Sequence, residues 1–284
     1  MKLNLKYVAV CSLLGAFAGG VAALAQDSGP PKLLYIVREF TKPGKTALHE
    51  KSEAAYAAAM AAAKAPNNFF ALESLTGPDR ALFINGYDSF EDMSTQHKAM
   101  MKIPGLGATM DRLGVTDGEL LTSTDESLWL FKPKMSMNPG PLKGVRMMEL
   151  ELFIVKPGRN SQWSELVKLV QSGYAKGVPN ANWAMFDQAY GQDGNAHLAV
   201  TMLKSGKEID QTFASGKQFE EALGPDGMKK LNSLMAACVQ SSQTNLFGIS
   251  PRMSNPEPGM VAAEPEFWKT KPAPVKKHEE KHAQ

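Results

Sequence analysis

The chain says nearly the same thing twice. Lys42-Pro43-Gly44-Lys45 returns as Lys156-Pro157-Gly158-Arg159, 114 positions on, and the segment from Phe131 to Pro139 returns from Phe247 to Pro256 at almost the same spacing. Two separated matches at nearly one offset mean a duplicated folding unit. A unit that needs a neighbour to bury its apolar face is the physical reason for such a duplication.

The residues predict one order of elements in both copies. In the first, the apolar run Leu33 to Phe40 reads as a strand closed by the Lys-Pro-Gly turn, followed by an Ala-rich helix from about Thr46 to Ala63. Phe69 to Thr76 and Arg80 to Tyr87 read as strands joined by Gly77-Pro78-Asp79, a hairpin signal. Asp88-Ser89 caps a helical stretch that breaks at Pro104-Gly105 and resumes to about Leu121, and Ser127 to Phe131 is a last strand. The second copy gives a strand at Met147 to Val155, then a helix carrying Trp163, Leu166, Val167, Val170 and Tyr174 on one face. Strands follow at Trp183 to Tyr190 and Ala196 to Leu203, helices at about 206–222 and 225–239, and a closing strand at Thr244 to Ile249. The order β-α-β-β-α-β is the ferredoxin-like arrangement, an antiparallel sheet with helices on one face. Each sheet leaves its other face bare, so two tandem ferredoxin-like repeats of one chain, an α+β fold, can pack their sheets face to face. The repeats are placed at 33–139 and 146–256.

The segment Glu149-Leu150-Glu151-Leu152-Phe153-Ile154-Val155-Lys156-Pro157-Gly158-Arg159 resembles the opening strand and turn of NIPSNAP-type domains, and Arg38 to Lys45 is a looser version of it. The resemblance implies the dimeric α/β-barrel superfamily, which also holds antibiotic-biosynthesis monooxygenases, EthD-like proteins and haem-degrading or haem-binding enzymes. It implies an intramolecular version of that barrel here, with the ligand between the sheets. Function follows from the fold only weakly, because these barrels host many activities.

Residues 1–25 read as a signal peptide: basic Lys2 and Lys6, an apolar core from Tyr7 to Phe17, and Ala23-Leu24-Ala25 before Gln26. The expected destination is the periplasm or the exterior. No later segment is apolar and long enough to span a bilayer. Without Lys2 and Lys6 the 31 basic residues fall to 29, equal to the 29 acidic ones, which gives no electrostatic footprint for nucleic acid. Cys238 is then the single thiol, in an apolar helical stretch, and reads as a buried small hydrophobe rather than a nucleophile.

Candidate cavity residues come from strands. Glu73 and Asp187 are 114 apart, Asn68 matches Asn182, and Phe69 matches Trp183. If both carboxylates face inward they meet in a shared cavity; strand alternation could equally put them outside. Glu149 and Glu151 alternate with Leu150 and Leu152 where the first copy has Tyr35 and Val37, and Arg38 could balance a carboxylate. His197 lies on a strand, with no histidine at the matching place in the first copy. No metal site or cofactor is predicted; haem held by His97 or His197 is an alternative. His278-Glu279-Glu280-Lys281-His282 fits the zinc-protease pattern, but sits at the end of a Pro/Lys-rich stretch and reads as part of a disordered tail over 257–284.

The expectation is an exported protein that binds a small, partly apolar molecule between two ferredoxin-like sheets, with oxygenase-like or isomerase-like chemistry. Phe69, Trp183, Glu73, Asp187 and His197 would line the cavity, with Arg38, Glu149 and Glu151 as further candidates. The alternative is a non-catalytic envelope protein whose inter-sheet core is filled. Catalytic residues, the ligand and the oligomeric state are left open by the residues alone.

Overall fold

A Lys-Pro-Gly turn ends the first strand of each copy in the same way: Gly44 and Gly158 adopt φ of 74° and 73°, a left-handed conformation that costs glycine nothing. The computed structural model describes residues 29–191 and 194–269. Its first half runs β1 (Leu33–Thr41), α1 (Thr46–Ala62), β2 (Phe69–Ser74), β3 (Arg80–Tyr87), α2 (Phe90–Met101), α3 (Leu106–Gly118) and β4 (Leu121–Phe131). Its second half runs β5 (Met147–Val155), α4 (Asn160–Gly177), β6 (Ala184–Tyr190), β7 (Asn195–Leu203), α5 (Gly206–Ala214), α6 (Gly216–Cys238) and β8 (Val239–Asn255). The order is the expected βαββαβ, twice. The Ser89 side chain caps α2 by accepting from the Asp92 amide at 3.0 Å. Gly224, at φ 67°, and Pro225 kink α6 near its first third.

The eight strands close a barrel in the order β1-β3-β2-β8-β5-β7-β6-β4, every neighbour antiparallel. Each half contributes four consecutive staves. Two seams join the halves: β2 to β8, where Leu72 faces Ile249, and β4 to β6, where Leu130 faces Asp187. The sheets therefore meet at both edges as well as across the interior, and neither keeps a free edge.

Strand alternation sorts the side chains into three cores. Leu34, Ile36, Leu72, Leu82, Trp129, Leu150, Phe186, Leu198 and Phe247 point inward and fill the barrel. Trp129 is fully buried, its indole N–H satisfied by Ser127 Oγ at 2.8 Å. The intervening residues face outward and meet the helices. In the first half Val37, Phe69, Ala71 and Phe83 pack under Met60 and Met110. In the second Val155 and Met185 pack under Trp163, Leu166 and Leu234, with Cys238 fully buried among them.

Past β8 the reading of a disordered tail needs correction. Residues 258–268 form two short helices, α7 (Pro258–Ala263) and α8 (Pro265–Trp268), because the segment carries apolar anchors. Met260 and Trp268 are buried, Trp268 lies 5.8 Å from the Phe70 ring, and Arg146 both pairs with Glu264 at 2.7 Å and covers Phe267. The His278 to His282 motif and residues 1–25 lie outside the described residues. Among the described residues no helix is long and apolar enough to cross a membrane.

Candidate functional site

The barrel interior is not the cavity. Its packed side chains leave about 120 Å³ at one end, beside Leu34, Phe70, Met148 and Phe186, and about 90 Å³ at the other, beside Arg38, Trp129 and Phe247. A space of about 670 Å³ lies elsewhere, between the outer face of the second sheet and helices α4, α5 and α6. That volume is in the range of small-molecule sites.

The second half is hollow where the first is solid because of a few exchanged side chains. In the first half Val37 pairs with Phe83, and in the second the corresponding pair is Glu151 with Ala199. Tyr35 opposite Asn85 becomes Glu149 opposite Thr201. Replacing Phe83 by a methyl group removes most of a ring from the centre of the layer, and nothing from α4 or α6 moves in to fill it. The helices are instead held close farther along. A Cβ added to Gly177 would lie within 2.4 Å of the Gln218 carbonyl oxygen, and one on Gly173 within 2.6 Å of Phe219.

The walls are aromatic. Phe153 and Trp163 sit 5.1 Å apart on one side; Tyr174 contacts Trp183 at 5.4 Å and Phe219 at 4.6 Å on the other. Trp183 is fixed by its indole N–H, which donates to the Met135 carbonyl at 2.9 Å. Glu149 and Glu151 rise from the floor between these walls. Burial raises the pKa of both carboxyls, and for Glu151 the neighbouring Glu149 charge adds to it while a hydrogen bond with Thr244 works against it. Burial and then the two carboxylates push the Tyr174 phenol upward as well. Glu208 on α5 is a third acidic lining residue, and among the described lining residues none is lysine, arginine or histidine. Such a cavity repels anions. It accepts hydrogen-bond donors, and its aromatic faces suit a flat or cationic group.

The sequence candidates divide across this geometry. Glu149, Glu151 and Trp183 line the cavity. Glu73 and Asp187 do not meet, because their strand neighbours Leu72 and Phe186 take the interior positions and turn both carboxylates outward. They lie beneath their own helices on opposite sides of a filled barrel. Burial, then the Glu50 charge, raises the Glu73 pKa. Asp187 is held the other way: burial favours its neutral form, but hydrogen bonds from His197 Nδ1 at 2.6 Å and Lys132 Nζ at 2.9 Å outweigh that and depress its pKa. His197 is thereby tied to Asp187 and stacks on Trp163 at 4.7 Å. Phe69 packs between Tyr56 and Phe83 in the solid first half. Arg38 points to one end of the barrel and pairs with Asp125 at 2.5 Å.

Phe153, Trp163, Tyr174 and Phe219 were not among the cavity candidates. Two of them, Trp163 and Tyr174, stand on the periodic face of α4 and read as core; only the small residue at 199 marks that the core stops short of them.

No protein-family model matches the chain, and none of the curated protein sequences matches it either. Solved structures do. A structure described as an anthrone oxidase-like protein overlaps 77% of this chain and 92% of its own length at TM-score 0.51 and 14% identity. The fold is a dimeric α/β barrel folded from one chain. A proposed monooxygenase from Lactobacillus acidophilus NCFM covers 77% of this chain and 94% of its own at TM-score 0.47 and 10% identity. A mutant chlorite dismutase from Candidatus Nitrospira defluvii covers 84% and 96% at TM-score 0.45 and 9% identity. At these identities the likeness is one of fold.

Haem does not suit the donor set of the cavity. The described lining offers iron no imidazole or thiolate, its Tyr174 is pushed away from the phenolate form that would bind iron, and it offers propionates no lysine or arginine, only carboxylates that repel them. His197 faces Asp187, and His97 lies on α2 in the other half.

Proposed function

We propose that the chain binds a small, flat, partly apolar molecule, uncharged or cationic, in the cavity of the second half. The Glu149 and Glu151 pair then exchanges a proton with it in an oxygenase-like or isomerase-like reaction. The observation that carries this reading is the pair of carboxyls held above their ordinary pKa inside an aromatic cavity. A carboxylate raised in this way is a better base at neutral pH than one in water, and its neighbour can hold or return the proton. A proton taken from one carbon and returned to another is an isomerisation. If the deprotonated carbon instead forms a bond to dioxygen and the resulting peroxide takes the proton back from the carboxyl, the reaction is an oxygenation. The relative described as anthrone oxidase-like supports the second direction. The NIPSNAP-like opening strand of the second half and export to the periplasm or exterior through residues 1–25 belong to the same reading. A secreted product beginning at Gln26 would support the export, and an uncleaved chain would oppose it.

Fluorescence titration tests the site, since Trp163 and Trp183 line it. 2-Naphthol and naphthylmethylammonium should quench the tryptophans, while 2-naphthoate binds at least about tenfold more weakly, the effect of ~1.4 kcal/mol. Ala199→Phe, which restores the filling seen in the first half, should abolish binding of both. Equal binding of the anion, or unchanged binding by Ala199→Phe, would overturn the proposal in favour of a non-catalytic envelope protein.

A further inference from the structure

The first half buries a polar cluster that the second half does without. Glu39 on β1, His49 and Glu53 one turn apart on α1, and Asp117 at the end of α3 each offer a donor atom, and the four atoms lie within 4.8 Å of one another. All four residues are 1–5% exposed. His49 Nε2 is 3.0 Å from Glu39 Oε2 and 3.7 Å from Asp117 Oδ2, so the imidazole and two carboxylates already converge.

The duplication supplies an internal control for what this place requires. At the repeat offset of β1/β5 and α1/α4, Glu39, His49 and Glu53 correspond to Phe153, Trp163 and Val167. The Lys42 amide bonds the Leu120 carbonyl as the Lys156 amide bonds that of Cys238, which sets Asp117 against Met235. The same corner of the same fold is therefore built from apolar side chains in the other half. Packing does not demand three carboxyl groups and an imidazole, whose desolvation is costly in a dry interior. A cation at their centre offsets that cost.

We infer that Glu39, His49, Glu53 and Asp117 bind a divalent first-row transition ion that ties β1, α1 and α3 together. Metal–ligand bonds of about 2.0–2.2 Å put donors roughly 3–4.4 Å apart around an ion, so small side-chain movements would close the cluster on a metal. One imidazole nitrogen with three carboxylate oxygens suits manganese, iron(II), cobalt(II) or zinc rather than a soft ion such as copper(I). His49 would offer the ion its ring nitrogen, and Glu39, Glu53 and Asp117 one carboxylate oxygen each. The site is independent of the aromatic cavity, whose lining includes none of these residues.

Cobalt(II) is the probe, with the full chain carrying His278→Ala and His282→Ala so that the terminal motif cannot contribute. After loading and desalting, about one cobalt per chain should remain, with visible d–d absorption and a raised melting temperature. His49→Gln with Glu53→Gln should lose the ion and the absorption. Because that variant could unfold, Glu39→Phe with His49→Trp and Glu53→Val imports the apolar solution of the second half. It should fold and melt at a temperature indifferent to cobalt or chelator. No retained cobalt in the chain with the four residues intact, or equal retention by either variant, would overturn the site.

Discussion

The two halves share strand order, turn and helix register, yet use the layer beneath their helices in opposite ways. In the first, Phe69 and Phe83 close the space with Met60 and Met110, and a compact buried polar cluster stands around His49. In the second, Ala199 stands where Phe83 would be, and about 670 Å³ opens above Glu149 and Glu151. The difference teaches that the barrel, not the helix layer, carries the shape. The interior core drawn from both halves is continuous and leaves only about 120 Å³ and 90 Å³ at its two ends, so each outer layer could be filled or emptied without loss of the scaffold.

The comparison can be broken most directly by hollowing the solid half. Phe83→Ala should cost about 3–5 kcal/mol in denaturant unfolding, the usual penalty for emptying a packed aromatic site. A cost below ~1 kcal/mol would mean that the first layer is as tolerant of voids as the second. Next in size is Asp187→Asn, which removes the charged acceptor of two hydrogen bonds and should cost about 1.5–3 kcal/mol at neutral pH. Asp187 has a depressed folded pKa, so its contribution is present above the unfolded value near 3.9 and is lost as pH falls through the folded one. The gap between wild type and variant should therefore shrink in acid, and a gap constant with pH would assign the effect to packing.

Much of the scaffold was legible in the chain. The repeated Lys-Pro-Gly turn located both opening strands, and alternation of Leu150 and Leu152 with Glu149 and Glu151 marked two faces of β5 without saying which one turns inward. The cavity was misplaced because matched positions say which residues are equivalent but not which way they point. Glu73 and Asp187 turn outward only because Leu72 and Phe186 take the interior, a matter of register between distant strands. The hollow itself depends on one side chain's volume at position 199, which no periodicity reports. His49 and Glu53 show helical i, i+4 spacing in the sequence, but Asp117 joins them only through the packing of α3 on α1. The ordered helices after β8 were hidden by a Pro-rich composition that masks three well-placed apolar anchors.

Two smaller effects sharpen the contrast from the side of the hollow half. Glu151→Gln should raise the melting temperature at pH 7 by about 2–4 °C, the response of a chain this size to ~1 kcal/mol. Its folded pKa is raised, so its favourable contribution is full below the unfolded value and fades as pH rises through the folded one. The benefit of the variant should vanish near pH 4 in a calorimetric series, and a benefit that persists there would point to repacking. Ala199→Phe is expected to change stability by less than about 1 kcal/mol, because the ring enters a space already present, while removing the ligand. A large loss of stability from it would mean the space is narrower than the volume suggests.

The seam between β2 and β8 sets a timetable for assembly. β8 begins at Val239 and is the stave that pairs with both β2 and β5. A nascent chain that has emerged only as far as α6 thus exposes two strand edges at once, one in each half, and these are the edges most prone to pairing with another molecule. Closure brings Phe69 against Asn255 across most of the chain, a long-range contact of the kind that slows folding. Chains cut short before β8 should accumulate as aggregates rather than as half-barrels, so the strand that closes the barrel decides whether the earlier ones are safe.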